Sequence, residues 1–359
     1  MRFTKEELQF LEIYAIGADS KIEFHDKVQI IANKEKNTVK FTQMSDQINF
    51  VTEIPKQVDK DFEIIIPIVQ LNNLLKLSGS EEIELTEDKI KLGDGSTYEL
   101  SKYDFSYTNI EDIINNLNDQ KTEHVYKVND LEKLNFVKNY MGEFEIDKAL
   151  NTIALINNHF VASDRRNVIG AVKSNNNIDN KVYLSEKTVK LLSICKLSTI
   201  ELSFYDGYYT FELGGVKVIV NIIPYILPDI FDENISKKYM HPYEVSIDKK
   251  ELNEALKRIK VVASSNNDGR IYITFKENIL VIESKEEYAG YAIEKVQADV
   301  PAKVVGQEII VSIHFLMSII SVLSDDLIIK IDEYGKDFVA IAIKDIDDSK
   351  LFVYQVYRG

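Results

Sequence analysis

Five histidines, one cysteine and a few paired carboxylates are the residues of this chain best suited to catalysis, and their spacing isolates each of them. His25, His124, His159, His241 and His314 are scattered, and none stands in metal-ligand spacing to another. Asp325-Asp326 and Asp347-Asp348 fall in turn-like surroundings, where solvated turn carboxylates are the plain reading. Cys195 lies among Leu191, Leu192 and Leu197 on an apolar helix face, not in the electropositive, accessible niche that activates a thiol. As a lone cysteine it forms no internal disulfide, which favours a reducing compartment. Gly93-Asp94-Gly95-Ser96 is glycine-rich but reads as a turn between strands, not as a strand-to-helix phosphate loop. Neither a His-Glu-x-x-His pair nor a serine elbow occurs. The expectation is a protein that is no enzyme and that needs no cofactor and no metal.

What remains is the placement of charge. The chain carries a net charge of −15, yet its expected helices do not share it. Segments 4–13, 67–77, 129–140, 185–196, 249–260 and 312–323 carry −2, +1, 0, +2, +3 and 0, so the strands, loops and linkers hold −19. The plain alternative is that amphipathic helices simply attract lysine.

These helices belong to a passage that occurs three times: a β-type run, a short amphipathic helix, then a tight hairpin. The copies begin at Phe62, Lys181 and Ile309. Ile66, Leu184 and Val311 end the leading strands, and Leu71, Val189 and Leu316, then Leu74, Leu192 and Ile319, form the buried helix face. Ile83, Ile200 and Leu327 open the next strand. Copies spaced by the size of a domain imply three α+β modules, 1–118, 119–238 and 239–359, each with two helices and about eight strands. Asp248 is the expected N-cap of a helix lined by Leu252, Leu256 and Ile259. Leu131, Leu134 and Val137 form the stripe of another. Turns are expected at Asp94-Gly95, Asn157-Asn158, Asp206-Gly207, Gly214-Gly215, Lys276-Glu277-Asn278 and Tyr334-Gly335, and linkers near 108–123 and 231–242. The N-terminus carries acids where a signal peptide is apolar, and Val216–Phe231 is cut by Pro224 and Pro228, so a cytoplasmic protein without a membrane span is expected.

Three stretches, in order, resemble the bacterial DNA polymerase III beta sliding clamps. Ala162-Ser163-Asp164-Arg165-Arg166-Asn167-Val168 stands where that family has Ala-Thr-Asp-Gly-His-Arg-Leu. Leu227-Pro228-Asp229-Ile230 stands for its aromatic-Pro-Asp-Tyr segment, and Phe352–Gly359 for its terminal strand and Arg-containing tail. The resemblance implies a DNA sliding clamp: three repeated clamp domains, each with two helices on antiparallel sheet, making half of a closed ring. Two such chains would encircle duplex DNA and tether the replicative polymerase. DNA would be met without reading sequence, by Lys133, Lys138, Lys187, Lys190, Lys196, Lys249, Lys250, Lys257, Arg258 and Lys260 on the inner helices. The head-to-tail homodimer would pack Tyr98 and Leu100 against Val261 and Val262. A pocket between the second and third domains would take short peptides of polymerase and clamp loader, using Leu150, Ser163, Arg165, Arg166, Val168, Pro228, Val353, Val356, Tyr357 and Arg358. The chain departs from the family there: Arg165 replaces a glycine, Asn167 an arginine, and Gln355-Val356-Tyr357 a Met-Pro-Met, so a different peptide preference is expected. The alternative function is a repeat-built structural or protein-interaction protein that does not encircle DNA.

Overall fold

The computed structural model describes residues 1–18, 24–45, 47–77, 79, 82–99, 103, 108–120, 122–142, 151–163, 168–222, 242–263, 269–286, 290–323, 326–331, 338–345 and 350–358. The chain opens with β1 (Arg2–Thr4), a 3-10 turn (Glu6–Leu8) and α1 (Leu11–Gly17). There follow β2 (Lys27–Asn33), β3 (Thr38–Gln43), β4 (Ile48–Pro55), β5 (Phe62–Pro67), α2 (Ile68–Leu77), β6 (Glu82–Leu85), β7 (Lys89–Leu92) and β8 (Thr97–Glu99). Next come α3 (Thr108–Asp119), β9 (His124–Asn129), α4 (Leu134–Val137), β10 (Thr152–Ser163), β11 (Val168–Ser185), α5 (Glu186–Cys195), β12 (Thr199–Tyr205), β13 (Tyr208–Leu213) and β14 (Val216–Asn221). The last set is β15 (Tyr243–Asp248), α6 (Lys249–Ala263), β16 (Arg270–Lys276), β17 (Ile279–Glu286), β18 (Gly290–Asp299), β19 (Glu308–Ser312), α7 (Ile313–Val322), β20 (Asp326–Ile331), β21 (Phe338–Asp345) and β22 (Lys350–Arg358).

The fold is α+β with antiparallel sheets, and its repeat is visible residue by residue. The first strand of each module pairs with the strand that follows its second helix: Phe3 faces Ile83, Val128 faces Ile200 and Ile247 faces Leu327. All six side chains are buried. Two compact units result, Met1–Glu132 with Leu184–Pro224, and Lys133–Tyr183 with Tyr225–Gly359. In the first, a sheet runs β5-β2-β3-β4-β14-β13-β12-β9, beside a four-stranded sheet β1-β6-β7-β8. In the second, the order is β10-β11-β22-β19-β16-β17-β18-β15-β20-β21, and a further β21–β22 pairing closes it on itself. An inner strand of one module thus joins the last strand of the next: β4, the fourth of the first module, to β14, and β11, the third of the second, to β22.

Helix starts are fixed by side chains. Asp248 takes the Glu251 N–H at 2.8 Å, the expected cap. Thr4 and Glu7 form a reciprocal capping box, each side-chain oxygen accepting the other's N–H, at 3.2 and 2.8 Å. The expected hairpins at Asp94-Gly95, Asp206-Gly207 and Gly214-Gly215 form, with φ of +90°, +79°, +52° and +80° at the four glycines, and Asn278 turns at +60°. Tyr334-Gly335 and residues 231–241 lie outside the described residues.

Four expectations are corrected. Segment 4–13 does not form one helix: a strand and a 3-10 turn precede α1, which starts only at Leu11. Segment 129–140 is a 3-10 turn, one α turn and another 3-10 turn. Its buried residues Leu131, Leu134, Val137 and Tyr140 recur at a strict period of three, the repeat of a 3-10 helix and not of an α-helix. The supposed linker 108–123 contains α3, because buried Ile110 and Leu117 lie two turns apart with half-buried Ile113 and Ile114 between them. No turn forms at Asn157-Asn158: β10 runs through unbroken, and neither residue takes the positive φ that a two-residue hairpin needs.

Candidate nucleic-acid and partner interfaces

The expected cations fall on helix surfaces in both units. In the first unit, α5 buries Thr188, Val189, Leu191 and Leu192 and packs on α1. Lys190 and Lys196 are thereby turned to solvent and Lys187 is half-buried. Lys196 holds the left-handed C-cap (φ +50°), where an ammonium favours the negative end of the helix dipole. In the second unit, α6 buries Leu252, Ala255, Leu256, Ile259 and Ala263 against β17, β18 and α7. Lys250, Lys257 and Lys260 stand on its exposed side.

The other expected cations are engaged by the protein. Lys249 Nζ donates to the Leu323 carbonyl at the end of α7, a structural contact across two helices. Lys133 Nζ donates to the Lys173 carbonyl at 2.9 Å, and Lys138 Nζ to Asn135 Oδ1 at 2.7 Å. Arg258 grips Glu294 of β18 with two hydrogen bonds, at 2.8 and 2.9 Å. Those bonds hold the Glu294 carboxyl below the usual carboxylate range and raise the guanidinium's own pKa. His159, on β10, is held below the usual imidazole range by burial and by the nearby Lys173 ammonium.

Of the expected peptide pocket, Leu150, Arg165, Arg166 and Pro228 lie outside the described residues. Ser163 ends β10 and is buried. The remaining positions come together in the backbone: Val168 faces Tyr354 and Ile169 faces Val353 across β11 and β22, while Val356, Tyr357 and Arg358 continue β22.

Of the expected dimer contacts, Leu100 lies outside the described residues. Tyr98 sits on β8, an edge strand, and is 40% exposed. Val261, at 79%, and half-buried Val262 lie in the last turn of α6. Sequence reasoning missed two exposed apolar residues on the neighbouring β18, Tyr291 and Ile293. Their signal was available: the odd residues 291–299 alternate with a half-buried to buried even set, so an apolar odd residue is one left in solvent. Among the described residues no group of three His, Cys, Asp or Glu side chains could hold a metal ion, and no helix is long and apolar enough to cross a membrane.

Residues 240–331 match the family model of the DNA polymerase III beta subunit, C-terminal domain. No curated protein matches the chain in sequence. In structure it is similar to the DNA polymerase sliding clamp of Pseudomonas aeruginosa (16% identity, TM-score 0.77), over 100% of this chain and 99% of that one. The DNA polymerase III beta subunit of Thermotoga maritima (15%, TM-score 0.80) and that of Caulobacter crescentus (14%, TM-score 0.79) are similar over the same shares. In fold the chain is similar throughout to the bacterial DNA polymerase III beta sliding clamps, and within its third module residues 240–331 match the sequence of that family's C-terminal domain.

Proposed function

We propose that the protein is a DNA sliding clamp, a non-enzymatic ring of two chains that encircles duplex DNA and tethers a polymerase to it. The modules 1–118, 119–238 and 239–359 are its repeating domains. One observation carries this reading. The chain joins consecutive modules twice in the same way, an inner strand of one (β4, β11) running antiparallel to the last strand of the next (β14, β22). This leaves one strand of each kind with an open edge: β8, and β18 outside its short pairing with β15 at Ala298 and Asp299. A second copy can complete both joints head to tail, an arrangement that makes a ring when its rotation closes on itself.

The exposed lysines of α5 and α6 support the DNA-facing role. Lys190, Lys196, Lys250, Lys257 and Lys260 present ammonium groups on flexible stems, which meet phosphates without reading bases. Lys133, Lys138, Lys187, Lys249 and Arg258 complete the set as flanking charge. The pocket strands β11 and β22 would take the peptides of polymerase and loader, an ATPase that opens the ring. The cytoplasm is the compartment of such a protein.

Retention on DNA tests the reading. Loaded on a nicked circle by a clamp loader, the protein should sediment as a dimer, stay on the circle, and leave when the circle is linearised. A monomer indifferent to DNA topology would return the case to a structural repeat protein. Replacing Lys190, Lys250 and Lys257 with Glu should flatten the salt dependence of DNA binding, the slope falling by about one for each phosphate no longer met by an ammonium.

A further inference from the structure

The sheet that carries the joint of β4 and β14 is buried in its middle on both faces. On one face Phe50 and Val218 stand opposite one another, and Phe50 packs on Tyr14 of α1. The other face carries the cross-strand row Asn49–Ile219–Thr210–Ser203–Val125. Asn49, Ile219 and Thr210 are buried, Ser203 is half-buried and Val125 is 53% exposed. A cover therefore lies over the row from its β4 end and leaves it at β9.

Two ties identify the cover. Side chains alternate along a strand, so Lys27 of β2 is on the opposite face from core-facing Ile30, the same face as the row. Its ammonium lies 4.9 Å from the centroid of the Tyr103 ring. Further along the chain, the Glu123 N–H donates to the Phe204 carbonyl of β12 at 2.9 Å, just before β9 begins. Between these ties the chain crosses β3, β4, β14 and β13, and what it carries there is α3. From β2 to β12 is about 24 Å at the usual strand spacing, and the 12 residues of α3 extend about 18 Å of it. The stripe of Ile110, Ile113, Ile114 and Leu117 is thus the side laid on the row.

This cover is built to come off. All residues of α3 except Glu111 and Leu117 are Thr, Asn, Ile or Asp, weak helix formers, and its last turn holds Asp119 and no cation. It is a helix because it is docked. The floor beneath it is partly polar and bonded from within the sheet: Asn49 Oδ1 accepts the Ser45 N–H at 3.2 Å, and Gln29, on the same face, donates to Glu63 at 2.5 Å. Lifting α3 strands neither side chain. Just past α3, Gln120 Oε1 is buried with no hydrogen-bond partner among the described residues, a penalty of the docked state alone.

We infer that α3 is a reversible strap that fills, in cis, a docking groove across the joint of β4 and β14. It lifts while the strands beneath stay paired, and the groove then accepts an acidic amphipathic helix from another protein, with Ile or Leu at i, i+3, i+4 and i+7. The expected peptide pocket belongs to the other joint, β11 with β22, so this groove is a separate site. It rests on the fold of the first unit and stands or falls apart from the clamp reading.

Hydrogen exchange of the intact chain tests the strap. Amides of α3 should exchange by local opening, faster than those of β4 and β14 by a factor of about ten or more, and with little response to low denaturant. Equal protection of α3, β4 and β14 would overturn it. Peptide binding tests the groove. Ile113→Asp with Ile114→Asp, both at half-buried positions, should release α3 and leave the first unit melting cooperatively. A fluorescent peptide of residues 106–121 should bind that variant about tenfold more tightly than the unaltered chain, for a strap open about a tenth of the time. The same peptide with Ile110→Asp and Leu117→Asp should not bind. Lost cooperativity in the variant would show that α3 belongs to the core. A folded variant that takes no peptide, or equal affinity for both chains, would show that α3 fills no such groove; each of these results overturns the proposal.

Discussion

The joint between β4 and β14 and the open edges of β8 and β18 are made from equivalent positions, yet they are built differently. At the joint, Ile48, Phe50, Val218 and Val220 are all buried, and the Asn221 N–H donates to the Gln47 carbonyl at 3.0 Å. At the edges, β8 has three residues, every one exposed, and β18 turns Tyr291, Ile293, Lys295 and Gln297 to solvent. Short, charge-bearing edge strands are how proteins keep open edges from pairing at random. The difference teaches that one pattern can be finished in two ways: apolar and buried where two strands are joined, exposed and mixed in charge where an edge is left open.

The harshest way to break this contrast is to empty the joint. Phe50→Ala removes a ring that packs on Tyr14 (centroids 5.2 Å apart) and on Gly17, and should cost about 3–5 kcal/mol, read by chemical denaturation. The trade of volume between helix and strand makes a sharper statement. Gly17→Val alone forces a side chain into the Phe50 ring, but combined with Phe50→Ala it enters the space that the ring has left. The double variant should be more stable than the sum of the two single losses implies. Strict additivity would show that Gly17 and Phe50 do not share this space.

Next in size is Tyr14→Phe. Its buried hydroxyl is hydrogen-bonded to the Phe41 carbonyl at 3.0 Å and to Thr52 Oγ1 at 3.2 Å, and burial pushes its pKa far up. Losing the hydroxyl strands a buried carbonyl, so a loss of about 1–2 kcal/mol is expected, with the first unit's melting affected. Asp248→Ala comes below it. The carboxylate caps α6 through a single exposed bond, and about 1 kcal/mol should be lost.

The repeat was legible because its parts are local: a strand end, a helix stripe and a strand start, at near-constant separation. The three buried pairs Phe3–Ile83, Val128–Ile200 and Ile247–Leu327 follow from it. The period-three stripe at Leu131, Leu134, Val137 and Tyr140 was also in the sequence, and misread as α-helical. Long-range complements were not legible. Nothing near Arg258 announces Glu294, which lies 36 residues away, and nothing near Gly17 announces that Phe50 fills its missing side chain. For the set expected to face DNA, the sequence gives only the lysines' positions on the helices, and the fold separates Lys249, bound to the end of α7, from Lys257 on the exposed side of α6.

The smallest effect on folding is expected at the edge, and that smallness is informative. Ile293 is 47% exposed and faces Glu283 across β17 and β18, so it contributes little to the isolated chain. Ile293→Thr keeps a β-branched strand former and should change the unfolding free energy by less than about 0.5 kcal/mol at dilutions where the chain is monomeric. At concentrations where two chains meet, the same substitution removes apolar surface from the edge at which the proposed ring would close. Dimer dissociation, followed by sedimentation, should then become measurably easier while chain stability stays put. A residue of the joint cannot separate those two readouts, because it is buried before any partner arrives. If Ile293→Thr lowered chain stability as Phe50→Ala does, β18 would be a structural strand like β4 and not an edge kept for a second copy.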